Sequence, residues 1–100
     1  MRVIQLTDAR DGSARPASDV IAEQDMHTAL AIGRSLERNT EKQTNPHPQT
    51  SLAHIAWIVA RLGGWNCYGK PPGPKTMAHG WKILMLMLQG AAIAKAEALV

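Results

Sequence analysis

Histidine and cysteine are the side chains of this chain with the most obvious capacity for metal binding or nucleophilic chemistry. His47, His54, His79 and Cys67 are zinc-ligand types, but no two of them have the short spacing of a zinc motif. Cys67, with histidine and asparagine elsewhere in the chain, has the raw material of a thiol nucleophile but no local signature. We therefore predict that the chain has no metal site, no catalytic thiol and no cofactor.

Carboxylates are numerous enough to suggest catalysis with two metal ions, so their surroundings matter. Catalytic acids are held by apolar walls, whereas these lie in polar loops or on the solvated faces of predicted helices. We interpret them as surface charges and predict that the chain is not an enzyme by itself. The residues concerned are Asp8, Asp11, Asp19, Glu23, Asp25, Glu37 and Glu41.

The element that organises the chain is an apolar segment over residues 51–65. Ser51, or Thr50 before it, can cap a helix, and Gly63 can adopt the left-handed conformation that ends one. Only His54 and Arg61 interrupt the apolar surface, and they share one narrow strip. A helix this apolar must be enclosed by other helices or by a second chain. Its apolar positions follow helical spacing at Leu52, Ile55, Ala56, Val59 and Leu62.

Around this segment the pattern predicts an all-α fold of about three to four helices, with a long Pro/Gly loop before the last one. Residues 22–37 have amphipathic helical spacing. Residues 38–50 read as an exposed linker, and Thr76 as the cap of the last helix. Residues 1–12 read as the tail end of a helix whose first part precedes the chain. One domain over residues 1–100 is the expected organisation.

The last helix has two apolar faces, and each needs a covering surface. Met77, Trp81, Leu84, Leu88 and Ala91 lie on one face, and Ile83, Met87, Gly90 and Ala94 on the other. The central helix can cover one face. Small residues at Gly90, Ala91 and Ala94 suit the close approach of a second helix, so we predict a homodimer.

Charge and composition bear on where the protein works and on whether it contacts nucleic acid or a membrane. A formal charge of +3 permits contact with nucleic acid but is too small to argue for it. The single cysteine and the lack of a signal-like apolar region favour the cytoplasm. The longest apolar run, residues 83–88, is far shorter than the ~20 residues of a membrane span, so we expect no membrane contact.

The loop before the last helix combines aromatic and basic residues. Trp65 and Tyr68, with Lys70 and Lys75, could contact a nucleic-acid backbone. The alternative is a structural role, in which the tryptophan packs on the helices and holds the loop in place. We favour this structural interpretation because four residues make a weak patch for nucleic acid.

Two motifs resemble a known family. Residues 60–65 (Ala-Arg-Leu-Gly-Gly-Trp) and the pair Gly80 and Trp81 resemble the C-terminal dimerisation domain of bacterial cut-and-paste transposases of the transposon Tn-five type. Support comes from residues 2–6, which resemble the end of the helix after the catalytic core, and from the proline-rich residues 45–48 and 70–74. The resemblance covers nearly the whole chain.

The resemblance implies a role in assembly. In that family an RNase-H-like core carries three acidic residues that bind two divalent metal ions, and none of them maps onto this chain. The C-terminal helices pair two subunits so that two DNA ends meet before cleavage. The implied partners are a second copy, an intact transposase subunit and transposon-end DNA, and the candidate DNA contacts are Arg61, Lys70 and Lys75. The implied dimer interface is Trp81, Leu84, Met85, Leu88, Ala91, Ala92 and Lys95.

Alternatives to this role stay open at the level of sequence. A free-standing fragment of this kind could inhibit an intact transposase by forming mixed dimers. A small helical DNA-binding regulator would have a similar composition. An independent enzyme has no constellation of residues to support it.

Overall fold

The described part of the chain folds into three α-helices, with a short 3-10 turn before the first of them. The computed structural model describes residues 16–38, 43–67, 70 and 72–98. The turn spans Ala17–Asp19, and the helices are α1 (Glu23–Leu36), α2 (Leu52–Leu62) and α3 (Pro74–Ala98). The predicted all-α class is confirmed, and the described segments contain no β-strand. The predicted helix end at residues 1–12 lies outside the described residues.

Helix α2 is the centre of the hydrophobic core. Every residue from 52 to 60 is buried, including His54, whose side chain is only 8% exposed. Ser51 caps the helix as predicted, because its hydroxyl oxygen accepts a hydrogen bond of 3.2 Å from the His54 backbone N–H. The predicted enclosure of this helix is therefore confirmed, and within the chain itself.

The end of α2 corrects one detail of the sequence prediction. Gly63 has an ordinary φ of −77°, and the left-handed residue is Gly64, with φ of 104°. The Trp65 N–H donates to the Ala60 carbonyl at 3.0 Å and the Gly64 N–H to the Arg61 carbonyl at 3.1 Å. These two bonds are those of a Schellman motif, which places its left-handed residue one position later than predicted.

Glycine at position 63 instead allows α3 to approach α2 closely. A β-carbon at Gly63 would overlap the carbonyl of Thr76, and one at Gly80 would overlap the carbonyl of Val59. Both glycines therefore lie where the two helix backbones meet without intervening side chains. The distance between packed helix axes, usually about 8–10 Å, depends on the side chains at the contact, and glycine is the smallest residue that can stand there.

Helix α3 is the longest described element and begins three residues earlier than predicted. It starts at Pro74, and Thr76 lies inside its first turn and does not cap it. Proline suits this position because its missing N–H would have no partner in a first turn. The Met77 N–H donates to the Gly73 carbonyl at 3.0 Å. With 25 residues, the helix is about 37 Å long.

Helix α1 covers another side of α2. Ala29, Ile32 and Gly33 are its buried residues. A β-carbon at Gly33 would lie 2.6 Å from Cδ1 of Ile58, so glycine there admits the isoleucine side chain. The predicted boundaries of 22–37 differ from the observed ones by a single residue at each end.

The crossing of α2 and α3 gives a paired test within one helix. We expect Gly80→Ala to lower the free energy of unfolding by about 1–3 kcal/mol, because the added methyl group meets the backbone of α2. Gly90→Ala in the same helix should raise the free energy of unfolding of the single chain by up to about 1 kcal/mol, because a β-carbon there meets nothing within 4 Å in that chain and alanine is the better helix former.

Urea unfolding followed by circular dichroism measures both variants. Equal effects of the two substitutions would contradict a backbone crossing at Gly80.

Candidate interaction surfaces on the last helix

The dimer interface implied by the resemblance corresponds to the inner side of α3. Leu84 and Leu88 are 0% and 5% exposed within the single chain, and Trp81 and Met85 are half-buried against the same core. Leu84 and Leu88 therefore leave almost no surface for a second copy, whereas Trp81 and Met85 keep part of theirs. The predicted interface stays a prediction. The hydrophobic core of the single chain thus takes up the side of α3 on which these four residues lie.

The remaining members of the predicted set lie further along α3, beside α1. A groove there is lined by Ala91, Ala92 and Lys95 together with residues of α1. Ala92 and Lys95 are exposed and Ala91 is half-buried. The α1 residues that line the groove are Gln24, Asp25 and Thr28.

The opposite side of α3 carries large apolar side chains in solvent. Leu86 is 59% exposed, Met87 42% and Ile93 61%. Between them lies Gly90, where a β-carbon would meet no neighbouring atom. We call the solvent-facing residues Leu86, Met87, Gly90, Ile93 and Ala94 the outer stripe. It includes three of the residues that the sequence pattern placed on the second apolar face.

Arg61 is held by the fold rather than presented to a ligand. Its guanidinium donates from Nη1 to the Trp65 carbonyl at 2.6 Å and from Nη2 to the Leu36 carbonyl at 3.2 Å. It also lies over the Trp57 ring, 5.9 Å from the centroid. Because Leu36 is the last residue of α1, Arg61 joins the ends of α1 and α2. The prediction of Arg61 as a DNA contact is therefore not supported by its geometry.

Replacing Arg61 tests this joint. We expect Arg61→Lys to lower the free energy of unfolding by about 1–3 kcal/mol, because an ammonium group cannot reach both carbonyl oxygens in the planar geometry of a guanidinium. Arg34→Lys, on the exposed side of α1, should change it by no more than about 0.5 kcal/mol. Chemical unfolding curves of the two variants decide, and a loss in both would argue against a special role for Arg61.

The other two predicted DNA contacts are accessible. Lys70 and Lys75 are both exposed, the first in the loop before α3 and the second in its first turn. The Trp65 indole N–H donates to the Lys70 carbonyl at 3.2 Å, and Trp65 packs on the core. The tryptophan therefore pins the loop, as the structural interpretation proposed. Tyr68 lies outside the described residues.

A group of hydrogen bonds attaches the predicted linker to the helices. The Asn45 amide donates to the His54 carbonyl at 3.1 Å, and the Glu37 carboxylate accepts from the Asn45 backbone N–H at 2.8 Å. The His54 ring donates from Nδ1 to the His47 carbonyl at 2.9 Å. Residues 44, 46 and 48–50 are exposed as predicted, yet the segment is anchored by its asparagine and histidine. Sequence reasoning gave Asn45 no role in this anchoring.

His47 makes this anchor sensitive to pH. Burial first, and the neighbouring His54 second, lower the pKa of His47 below its ordinary value, which is about 6.5. The unfolded chain then binds the His47 proton more tightly than the folded chain does. The free energy of unfolding should therefore fall as the pH decreases below about 6.5.

The contribution of His47 can be isolated with two glutamine variants. His47→Gln should flatten the fall in the free energy of unfolding between about pH 7 and 5, and His79→Gln, which removes an exposed histidine of α3 far from the anchor, is the control. Urea titrations at several pH values provide the measurement. An unchanged slope in His47→Gln would contradict the assignment.

No three His, Cys, Asp or Glu side chains in the described segments lie close enough together to hold a metal ion. Cys67 is a half-buried free thiol with a positive φ of 72°. In the same segments no helix has the length and apolar character needed to cross a membrane.

Comparisons with protein-family models, with curated proteins and with solved structures give no match to this chain. The resemblance to the transposase domain therefore rests on its motifs alone and stays a hypothesis. The geometry adds that the two motifs touch, because Gly80 lies against Val59 and Gly63 at the end of α2.

Proposed function

We propose that this chain acts as the C-terminal dimerisation domain of a bacterial cut-and-paste transposase with a DDE core. In this proposal it is non-catalytic by itself and works in the bacterial cytoplasm. It pairs two subunits through α3, so that two transposon ends are held together. The observation that carries the proposal is the outer stripe, an apolar surface left in solvent by the fold.

The spacing of the outer stripe suits a helical partner. Leu86, Gly90 and Ile93 follow one another at intervals of four and three residues, and half-buried Ile83 continues the series toward the start of the helix. Apolar residues at alternating intervals of three and four form the contact seam of paired helices. Gly90 and Ala94 leave room for close approach, as small residues do between packed helices. A second copy of α3 supplies a matching surface by symmetry.

The inner side of α3 supports this role because it fixes the helix to the body of the chain. Met77 and Leu84 are fully buried, Leu88 nearly so, and Gly80 meets the backbone of α2. An exposed stripe on a helix held in this way is pre-organised, which reduces the entropy lost on association. The same surface would let this chain form mixed dimers with an intact transposase subunit.

Adjacent substitutions on α3 separate this surface from the interface implied by the sequence. We expect Ile93→Asp to weaken self-association by about 2 kcal/mol, roughly 30-fold, because it places a charge in the centre of the seam. Ala92→Asp adds the same charge at the neighbouring exposed position beside α1 and should leave the dimer intact. Light scattering across a wide concentration range gives the molecular mass of each variant, with circular dichroism as the check on folding.

A wild-type chain that stays monomeric at the highest concentration would overturn the proposal. Dissociation by Ala92→Asp and not by Ile93→Asp would return the interface to the α1 side of the helix.

A further inference from the structure

Charge is distributed very unevenly along this chain. From residue 42 to residue 96 there are six Lys and Arg and no Asp or Glu. Seven of the eight acidic residues precede this stretch, and the last, Glu97, comes after it. Helix α2, the Pro/Gly loop and nearly all of α3 are therefore without a negative side chain, although the net charge of the whole chain is only +3.

The fold gathers part of this positive charge into one row. Lys75, His79 and Lys82 lie in the first half of α3 at intervals of four and three residues, which puts them on the same side of the helix. All three are exposed, as is Lys70 in the loop that leads into α3. The first turn of α3 has no acidic residue, so the partial positive charge of the helix N-terminus adds to the row.

Two of the acidic residues that precede this stretch have neighbours away from the row. Asp25 lines the groove beside Lys95, at the far end of α3. The Glu37 carboxylate accepts a hydrogen bond from the Asn45 backbone N–H. Arg61, the cation of α2, is bonded to two carbonyl oxygens within the fold. Within the described part of the acid-free stretch, the exposed lysines of α3 and of its loop are thus cations that a ligand can reach.

We infer that Lys75, His79 and Lys82, together with Lys70, form a contact surface for the phosphodiester backbone of duplex DNA. The row extends over seven residues, about 10 Å along the helix axis. Phosphates on one strand of B-DNA recur about every 3.4 Å along the duplex axis, so the row spans about three of them. Lysine ammonium groups on flexible stems contact phosphates without reading the base sequence.

A duplex explains the arrangement better than an anionic membrane surface does. Helices that lie on membranes flank a continuous apolar face with basic residues along their whole length. In α3 the basic and the apolar residues instead follow one another along the same side of the helix. The basic row lies at residues 75–82 and the outer stripe at residues 86–94. The other apolar side of α3 is already buried in the core. A membrane could therefore engage only half of the helix.

The inference of a DNA contact surface rests on charge and exposure. It adds a DNA contact to the proposed function and does not depend on self-association. The test uses the full chain and a fluorescent duplex of arbitrary sequence, with anisotropy measured between about 50 and 200 mM salt. The double variant Lys75→Gln/Lys82→Gln should bind the duplex on the order of tenfold more weakly at the low-salt end. It should also reduce the slope of log K against log salt by about two, since each lost phosphate contact removes roughly 0.9.

A charge-matched control is available in Arg34→Gln/Lys95→Gln, which removes two exposed cations elsewhere. This variant should keep the wild-type slope. An equal loss in both double variants would mean that net charge alone is at work and would overturn the inference. Vesicles with anionic lipid form a second arm, and binding to vesicles without salt-sensitive binding to the duplex would overturn it as well.

Light scattering on the same samples separates this inference from the proposed function. A monomeric wild-type chain that binds duplex through Lys75 and Lys82 would refute dimerisation and leave the DNA surface standing. A dimer with no salt-dependent affinity for duplex would do the reverse.

Discussion

The close crossing of α2 and α3 is the constraint on which the rest of the structure depends. Gly63 and Gly80 bring the backbone of one helix against that of the other, and no residue with a β-carbon fits at either position without displacing main-chain atoms. Close packing then extends along α3 through Met77, Leu84 and Leu88, all against a helix that is buried on every side. The hydrophobic gain of this packing opposes the entropy cost of ordering two long connections. Glycine is thus required here for space, and at Gly64 for its left-handed conformation.

A helix as enclosed as α2 leaves little freedom to its polar side chains, and most of their polar atoms have a hydrogen-bond partner, the buried Nε of Arg61 being an exception. The Ser51 hydroxyl caps the helix, and the His54 ring holds the His47 carbonyl. The Arg61 guanidinium closes the far end by bonding the carbonyls of Leu36 and Trp65. Polar groups buried without partners are costly, so these bonds are a condition of burial. They also tie the two connections to α2, which makes it the frame that positions the other helices.

Much of this fold could be predicted from sequence because its signals are local. The helical spacing of α1 and α2, the cap at Ser51 and the inner face of α3 all derive from residue types a few positions apart. The side of α3 available to a partner depends on which apolar stripe the chain itself covers, and Leu84 and Leu88 gave no local sign of that choice. The roles of Arg61 and Asn45 likewise depend on contacts with distant carbonyls. From its side-chain type alone, Arg61 was predicted to contact a ligand. In the tertiary structure its guanidinium instead donates to two backbone carbonyl oxygens.

Because α3 is a single uninterrupted helix, it also sets a distance. Lys75 and Ile93 are eighteen residues apart, which corresponds to about 27 Å along the axis. A rigid helix anchored through its first half has no joint at which this separation could change. The helix therefore fixes the distance between a ligand bound at its basic end and a partner bound at its apolar end. In an assembly of two copies, that fixed length would dictate how far apart two bound polyanions lie.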